Sequence, residues 1–371
     1  MYTHTREDHA WFVRELQVRR EQVYAILLDP RYAAHFEPEH SREAIYHYLG
    51  QRGKALRPLM LLLSCGAAGS DEERALPAAA AVELFHTWTL VHDDIIDRDA
   101  LRRGRPTVHA AYAGRARDEE GYTPAEAAHY GMTTAILAGD QQQGWAFALL
   151  AELPERGVSP GVALQLVREL ALVLEPGLLA GEMLDVQYSH RPVEELTEDA
   201  VLDMLTRKTA LLYRFAARAG ALIGLDGSGR LGTPEGERLA EALETFAGLC
   251  GTAFQLQDDL LGITGDEQRL GKPVGSDLRE GKKTLIVYHA LTHAAPPALD
   301  GIKRVLGNPD ADTAKVKTAV GLLEEAGSLD YVRRMSQDYI TRAQAALSTL
   351  PDTPNRKLLY LWARYLVARS T

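Results

Sequence analysis

Two aspartate clusters carry the most chemistry in this sequence. Asp93-Asp94-Ile95-Ile96-Asp97 and Asp258-Asp259-Leu260-Leu261-Gly262 each end a strongly apolar, helix-patterned stretch. Carboxylates spaced i, i+4 share one helix face and repel, which destabilises the helix unless a cation compensates. On a stretch as apolar as Ala79 to Val91, a divalent cation is the economical answer. Lysines and arginines stand around both clusters, so the pattern suggests several Mg²⁺ ions holding a polyphosphate. Mg²⁺ keeps oxygen ligands and shares its shell between carboxylate and phosphate.

In the first cluster Asp93 and Asp97 point the same way, with His86 two turns earlier on that face. Arg102-Arg103-Gly104-Arg105-Pro106-Thr107 follows directly. Arginine forks match phosphate oxygens in two-point geometry, but this segment alone reads better as a solvated, salt-bridged helix end. The second cluster shifts that balance. Gln255, Asp258, Asp259 and Gly262 line one helix face, and Phe246, Leu249, Cys250, Ala253, Leu256 and Leu260 line another. A glycine-punctuated loop with Lys272 follows, then Lys282 and Lys283. Two carboxylate helices, each trailed by a cationic loop, are hard to produce by surface patterning. Lys54 and Arg57, one turn apart before Leu59–Leu63, either serve an anion or snorkel from a helix start. Arg207-Lys208-Thr209, mid-helix, is equally ambiguous by itself.

The elements that must position these groups follow a 3.6-residue period, with no convincing run of strand alternation. Ser70 with Glu73 reads as a capping box ahead of the helix that leads to Asp97. Thr233-Pro234 opens the helix that leads to Asp259. Pro176-Gly177 should kink the stretch from Ala163 to Tyr188. The polar segment Gly114 to Glu126, within a break from Gly104 to His129, reads as an insertion or mobile loop. With 371 residues, 46% hydrophobic and 25% charged, the expectation is one all-α domain over 1–371.

Composition excludes several classes of function. A formal charge of −10 argues against nucleic acid, whose phosphate backbone needs a basic face. Cys65 and Cys250 lie in apolar helical contexts and read as buried small hydrophobes. No apolar run is long enough to span a bilayer, no signal peptide is evident, and the expectation is a cytoplasmic protein. A Gly-rich nucleotide phosphate loop is absent.

Taken together, the motifs resemble the trans-isoprenyl diphosphate synthases, the polyprenyl synthetase family. The matching elements are Gly53-Lys54-x-x-Arg57-Pro58, His86, the DDxxD at 93–97, and Arg102-Arg103-Gly104 with Pro106-Thr107. They continue with Ala138-Gly139-Asp140, Gly181-Glu182 with Asp185, Lys208-Thr209, Phe254-Gln255 with Asp258-Asp259, and Gly271-Lys272. They occur in family order.

The resemblance implies a helical bundle around a deep central cavity, usually a homodimer. It implies condensation of isopentenyl diphosphate with an allylic diphosphate by ionisation, carbon–carbon bond formation and proton loss. Asp93, Asp97 and Asp258 would ligate three Mg²⁺ ions around the allylic diphosphate, with Arg102, Lys208, Lys272 and Lys282 neutralising its remaining charge. Lys54, Arg57, His86 and Arg103 would hold isopentenyl diphosphate. Thr209 and Gln255 would face the allylic cation. Trp88, with Phe85 a turn further, would floor the chain cavity roughly 7.5 Å below Asp93. That aromatic at the fifth position before the cluster resembles geranylgeranyl rather than farnesyl diphosphate synthases, although Trp88 is equally an ordinary core aromatic.

Two positions depart from the family pattern. Gly262 stands where many members have a third aspartate, and Glu182 where glutamine is common. The segment 113–129 is longer than in the shortest members. A class I terpene cyclase shares the fold and an aspartate-rich motif but needs no isopentenyl diphosphate site. A non-catalytic partner subunit would be expected to lose metal aspartates. Lys54, Arg57, His86 and Arg102-Arg103 argue against the first alternative, as does a second DD motif in place of an asparagine–serine–glutamate triad; Asp93, Asp97 and Asp258 argue against the second.

Overall fold

The computed structural model describes residues 5–265 and 275–367. They are helical almost throughout, and the strands among them are a two-residue pair, β1 (Leu101–Arg102) and β2 (Arg105–Pro106). The chain forms two compact units. One comprises residues 1–169, 216–243 and 350–361; the other comprises 170–215, 244–349 and 362–371.

The first unit contains α1 (Arg6–Leu27), α2 (Glu39–Tyr46), α3 (Leu56–Ala67), α4 (Leu76–Ile96), α5 (Val108–Glu120), α6 (Pro124–Ala151) and α7 (Pro160–Glu169). Helix α4 is apolar around most of its circumference and is correspondingly buried from Leu76 to Phe85. It packs along α6, as does α5. Its start differs from the sequence expectation. Asp71, not Ser70, is the cap: its carboxylate accepts from the Glu73 N–H at 3.0 Å. A 3₁₀ turn, Glu72–Ala75, then leads into the helix. Ser70 instead lies against Gly227, where a Cβ would come within 2.1 Å of its Oγ.

The polar segment 114–126 is also not a loop. It forms the end of α5, a turn at Gly121 and the start of α6. Gly121 takes φ +69°, the left-handed conformation that closes helices at low cost in glycine. Thr123 and Glu126 then form a capping box with Pro124 in the first turn. The ion pair Arg115–Glu119 at 2.8 Å holds the polar α5 face, and Arg115 also reaches Glu43. Polarity misleads there because local capping and charge pairing, not burial, supply the helix signal.

The second unit contains α8 (Glu175–His190) and α9 (Glu198–Leu205). The helices α10 (Leu211–Gly227) and α11 (Pro234–Thr264) divide between the units, residues 211–215 and 244–264 belonging to the second. Then follow α12 (Leu285–His293) and α13 (Ser328–Ala346), and α14 (Pro354–Val367) ends the described chain. Thr233 caps α11 as expected, its hydroxyl accepting from the Gly236 N–H at 3.1 Å. Leu256, Leu260, Ile263, Leu285, Ile286, Val287 and Val332 lie in its core.

The irregularity expected near Pro176 appears as a π turn over Leu170–Leu174, directly before α8. Proline has no N–H and its ring displaces the carbonyl four residues earlier, here Leu172. The ladder therefore widens from i→i+4 to i→i+5. A second π turn, Thr206–Ala210, joins α9 to α10. Both cysteines are buried, and burial pushes the Cys65 thiol up to about 12.

Candidate active site

In the first unit the carboxylates of Asp93, Asp94 and Asp97 cluster at the C-terminal end of α4. That is the negative end of the helix dipole, where anionic side chains are disfavoured and cations are attracted. The three acids are not equivalent. Asp94 is 1% exposed, and Arg102 closes on its Oδ1 with Nε at 2.8 Å and Nη2 at 2.7 Å. The Tyr48 hydroxyl donates to Oδ2 of Asp94. Burial raises the Asp94 pKa despite both partners, and the Asp93 charge adds to the rise. Arg102 also lies 3.5 Å from Asp93. Asp93 and Asp97, four residues apart, are half-buried.

The hairpin that delivers the arginines has a local cause. Arg103 and Gly104 are its two turn residues, at φ +54° and +72°. Positive φ at both positions is the hairpin turn whose twist matches its strands. It holds Arg102 on the acid cluster and leaves Arg103 exposed. A second left-handed residue, Ala55 at φ +49°, sits between Lys54 and Arg57 and starts α3. Such conformations persist where the surroundings over-determine them, and they concentrate at functional sites. Lys54 is exposed there, and Arg57 Nη1 meets His86 Nε2 at 3.0 Å. Burial, then the charges of Arg57, Arg102 and Arg103, hold the His86 pKa well below its usual value. A neutral imidazole among three guanidinium groups is a site that favours an anion.

Trp88 and Phe85 are both buried in α4, with ring centroids 4.7 Å apart, and Trp88 also meets His92 edge-on.

In the second unit the π turn presents Lys208 and Thr209. Lys208 Nζ lies between Glu182 Oε2 at 2.9 Å and Asp185 Oδ2 at 2.7 Å. The acid at 182 therefore has a lysine to serve it. Thr209 donates to Gln255 Oε1 at 2.7 Å, and Gln255 Nε2 donates to Asp259 Oδ1 at 2.7 Å. Gly181 makes this arrangement possible. A Cβ there would come within 2.5 Å of the Lys208 backbone nitrogen.

Asp258 is half-buried, whereas Asp259 is buried. Burial raises Asp259 to about 7 against the pull of Gln255, and Asp277, Asp258 and Asp185 add to the rise. At Gly262 a Cβ would lie 3.3 Å from Asp277 Oδ2. The place of a third aspartate is thus bordered by an acid from elsewhere in the chain.

Lys282 pairs with Glu280 at 2.9 Å. The buried Lys283 donates to the Tyr188 and Ser189 carbonyls at 2.7 and 2.8 Å. It therefore serves the open carbonyl end of α8. Lys272 lies outside the described residues. Among those residues, no three His, Cys, Asp or Glu side chains group as metal ligands. No described helix is long and apolar enough to cross a membrane.

The structure therefore gathers Arg57, His86, Asp93, Asp97, Arg102 and Arg103 in one unit, and Lys208, Thr209, Gln255 and Asp258 in the other. Sequence reasoning missed Tyr48 and Asp277, for which no local signal exists. It also left Asp94 without a distinct part, because spacing does not say which carboxylate of a cluster turns inward.

Known proteins resemble this chain over most of its length. The polyprenyl synthetase family model matches residues 38–323. A geranylgeranyl diphosphate synthase of Methanosarcina mazei is 36% identical over 333 residues, 90% of each chain. A geranylfarnesyl diphosphate synthase of Aeropyrum pernix is 35% identical over 90% of this chain and 95% of its own. Among solved structures, a geranylgeranyl pyrophosphate synthetase from Pyrococcus horikoshii aligns with TM-score 0.79 and 32% identity, covering 98% of this chain and 99% of that one. The enzyme from Corynebacterium glutamicum, complexed with isoprenyl diphosphate and magnesium, aligns with TM-score 0.81 and 27% identity over 96% and 98%. With the family model spanning most of the chain and these relatives nearly all of it, the chain belongs to the polyprenyl synthetase family of prenyltransferases.

Proposed function

We propose that this chain joins isopentenyl diphosphate to allylic diphosphates in a Mg²⁺-dependent reaction and releases geranylgeranyl diphosphate. The observation that carries the reading is the Arg57–His86 contact at 3.0 Å, with the Arg103 charge acting on the same imidazole and Lys54 exposed in the turn before Arg57. It is a cationic, donor-rich group that the aspartate cluster does not itself supply, suited to a second diphosphate. A cyclase, which ionises one allylic substrate, has no use for it.

Asp93 and Asp97 on α4, and Asp258 on α11, fit Mg²⁺ by their chemistry. They are partly exposed carboxylates, and this ion takes one or two of them and completes its shell with phosphate and water oxygens. When bound, the ions would neutralise charge on the departing diphosphate. Arg102, Lys208, Lys282 and Lys272 would bear on the same leaving group, as preorganised electrostatic stabilisation does. Arg57 and Arg103 would grip isopentenyl diphosphate, with Lys54 adding a point charge and neutral His86 donating a hydrogen bond. The oxygens of Thr209 and Gln255, fixed to each other at 2.7 Å, would face the allylic cation. The departing diphosphate would accept the proton.

Trp88 and Phe85 would set chain length. The exposed apolar residues Met132, Ile136 and Leu137 on α6 suit the family's homodimer contact, and the two units would act as one isoprenoid-synthase domain.

The test offers dimethylallyl, geranyl or farnesyl diphosphate with labelled isopentenyl diphosphate and Mg²⁺, and reads products by mass. A twenty-carbon product, lost with chelator and in Asp93→Ala, is expected. Consumption of allylic substrate without elongation would overturn the reading in favour of a cyclase. No turnover by folded protein would favour a partner subunit.

A further inference from the structure

Glu83 sits on α4 one turn before His86, 5% exposed, inside an otherwise apolar stretch. The Tyr24 hydroxyl donates to its Oε1 at 2.8 Å. The Gly53 N–H in turn donates to Tyr24 Oη at 2.6 Å. Gly53 opens the strained turn through Lys54 and Ala55 into Arg57. A Cβ at Gly53 would lie 3.3 Å from both Glu83 Oε1 and Tyr24 Oη, and 3.7 Å from Arg103 Nη1. One phenol therefore joins the backbone at Gly53 to a buried carboxyl on α4, with Arg103 close to the same glycine. The charges of Arg57 and Arg103 both act on Glu83, while burial pushes its pKa up. A buried acid is costly unless it is paired and hydrogen-bonded; here Tyr24 ties it to the Gly53 turn, and the two guanidinium charges favour its ionised form.

We propose that Tyr24 and Glu83 are positioning residues for isopentenyl diphosphate. They set the Gly53–Arg57 turn and Arg103 in their binding geometry before substrate arrives. Tyr24 comes from α1, upstream of residues 38–323 that match the family model, so the N-terminal helix completes the site. Preorganised donors bind without the cost of ordering them, which is where such a pair acts. The inference rests on the assignment of Lys54, Arg57, His86 and Arg103 to isopentenyl diphosphate.

The experiment compares wild type, Tyr24→Phe and Glu83→Gln by steady-state kinetics with each substrate varied in turn, alongside thermal unfolding. Tyr24→Phe should raise KM for isopentenyl diphosphate roughly tenfold, the effect of losing one hydrogen bond to a buried acid. Its KM for the allylic substrate and kcat at saturation should stay within about twofold, the signature of lost ground-state binding on one side only. Glu83→Gln keeps the shape, replaces the carboxyl by an amide, and should move the same KM in the same direction. An unchanged KM for isopentenyl diphosphate in both variants would overturn the inference while leaving the prenyl-transfer reading intact. So would equal changes in both KM values, or a lower unfolding temperature alone. Wild-type protein that elongates no starter removes the assignment itself, and the inference falls with it.

Discussion

Removing the Arg102 side chain should destabilise the substrate-free protein before any question of catalysis arises. Arg102 is 24% exposed and its partner Asp94 only 1%, with Nε and Nη2 at 2.8 and 2.7 Å from one oxygen. At an effective dielectric of about 20 the attraction is on the order of 5–6 kcal/mol, and desolvation of the two charges offsets much of it. Breaking such a pair by removing one partner costs roughly 3–5 kcal/mol, because the remaining charge stays buried. Arg102→Met, which keeps the aliphatic stem, should therefore lower the unfolding temperature by roughly 6–20 °C for a unit of this size. In an Asp94→Asn background the same change should cost much less, a coupling of about 2 kcal/mol.

The loss should also depend on pH. Burial already raises Asp94 in the folded protein, and without Arg102 it rises further. A group whose folded pKa is raised supports folding at low pH and loses that contribution as pH rises through the folded value. The Arg102→Met penalty should accordingly be larger at pH 8 than at pH 5. Thermal unfolding of the two single variants and the double variant, without substrate, measures all of this. Additivity within about 0.5 kcal/mol would refute a stabilising Arg102–Asp94 pair and return Arg102 to a purely substrate-facing part.

Other expectations follow from the same geometry. His86, held below its usual pKa first by burial and then by three arginines, should be neutral at pH 6. Its ring nitrogen shifts should show this by NMR, and a titration near 6.5 in the free protein would contradict it. Restoring the family's third acid as Gly262→Asp would set a carboxylate against Asp277, whose oxygen lies 3.3 Å from the new Cβ. That variant should be less stable than Gly262→Ala in metal-free buffer, because a second carboxylate is brought against the first; equal unfolding temperatures would exclude the clash. Glu182→Gln removes one of the two carboxylates on Lys208 and should lower the allylic KM several-fold, on the order of the loss of one charged hydrogen bond. An unchanged or higher KM would mean that Lys208 does not serve that substrate. Trp88→Ala should shift products beyond twenty carbons, and an unchanged product distribution would remove Trp88 from the cavity floor.

The all-helical fold was legible because hydrophobic period and caps such as Thr233-Pro234 act locally. The ordered motifs, from Gly53-Lys54 to Phe254-Gln255, were legible because charged groups in apolar helices need a reason. Glu83 was readable on the same ground, as the lone acid between Leu76 and Phe85, yet its meaning depends on Tyr24, 59 positions away. Asp94 illustrates the limit. Three acids in one turn are interchangeable as letters, and only Tyr48, 46 positions upstream, together with the turn that aims Arg102, selects the one that is buried. The 114–126 segment failed for the opposite reason: its polarity outweighed a Thr123-Pro124-x-Glu126 cap that was fully present in the sequence.

The burial of both thiols has a practical consequence. Cys65 and Cys250 are each 0% exposed, and burial holds both thiols above their usual pKa. Maleimides and oxidants react with the accessible thiolate, so the native chain is close to a cysteine-free background. A single cysteine placed at an exposed position such as Arg105 or Glu194 would take a fluorophore or spin label cleanly. No natural residue would need replacing first. The residues that keep these thiols inert thus leave the enzyme open to distance measurements during turnover.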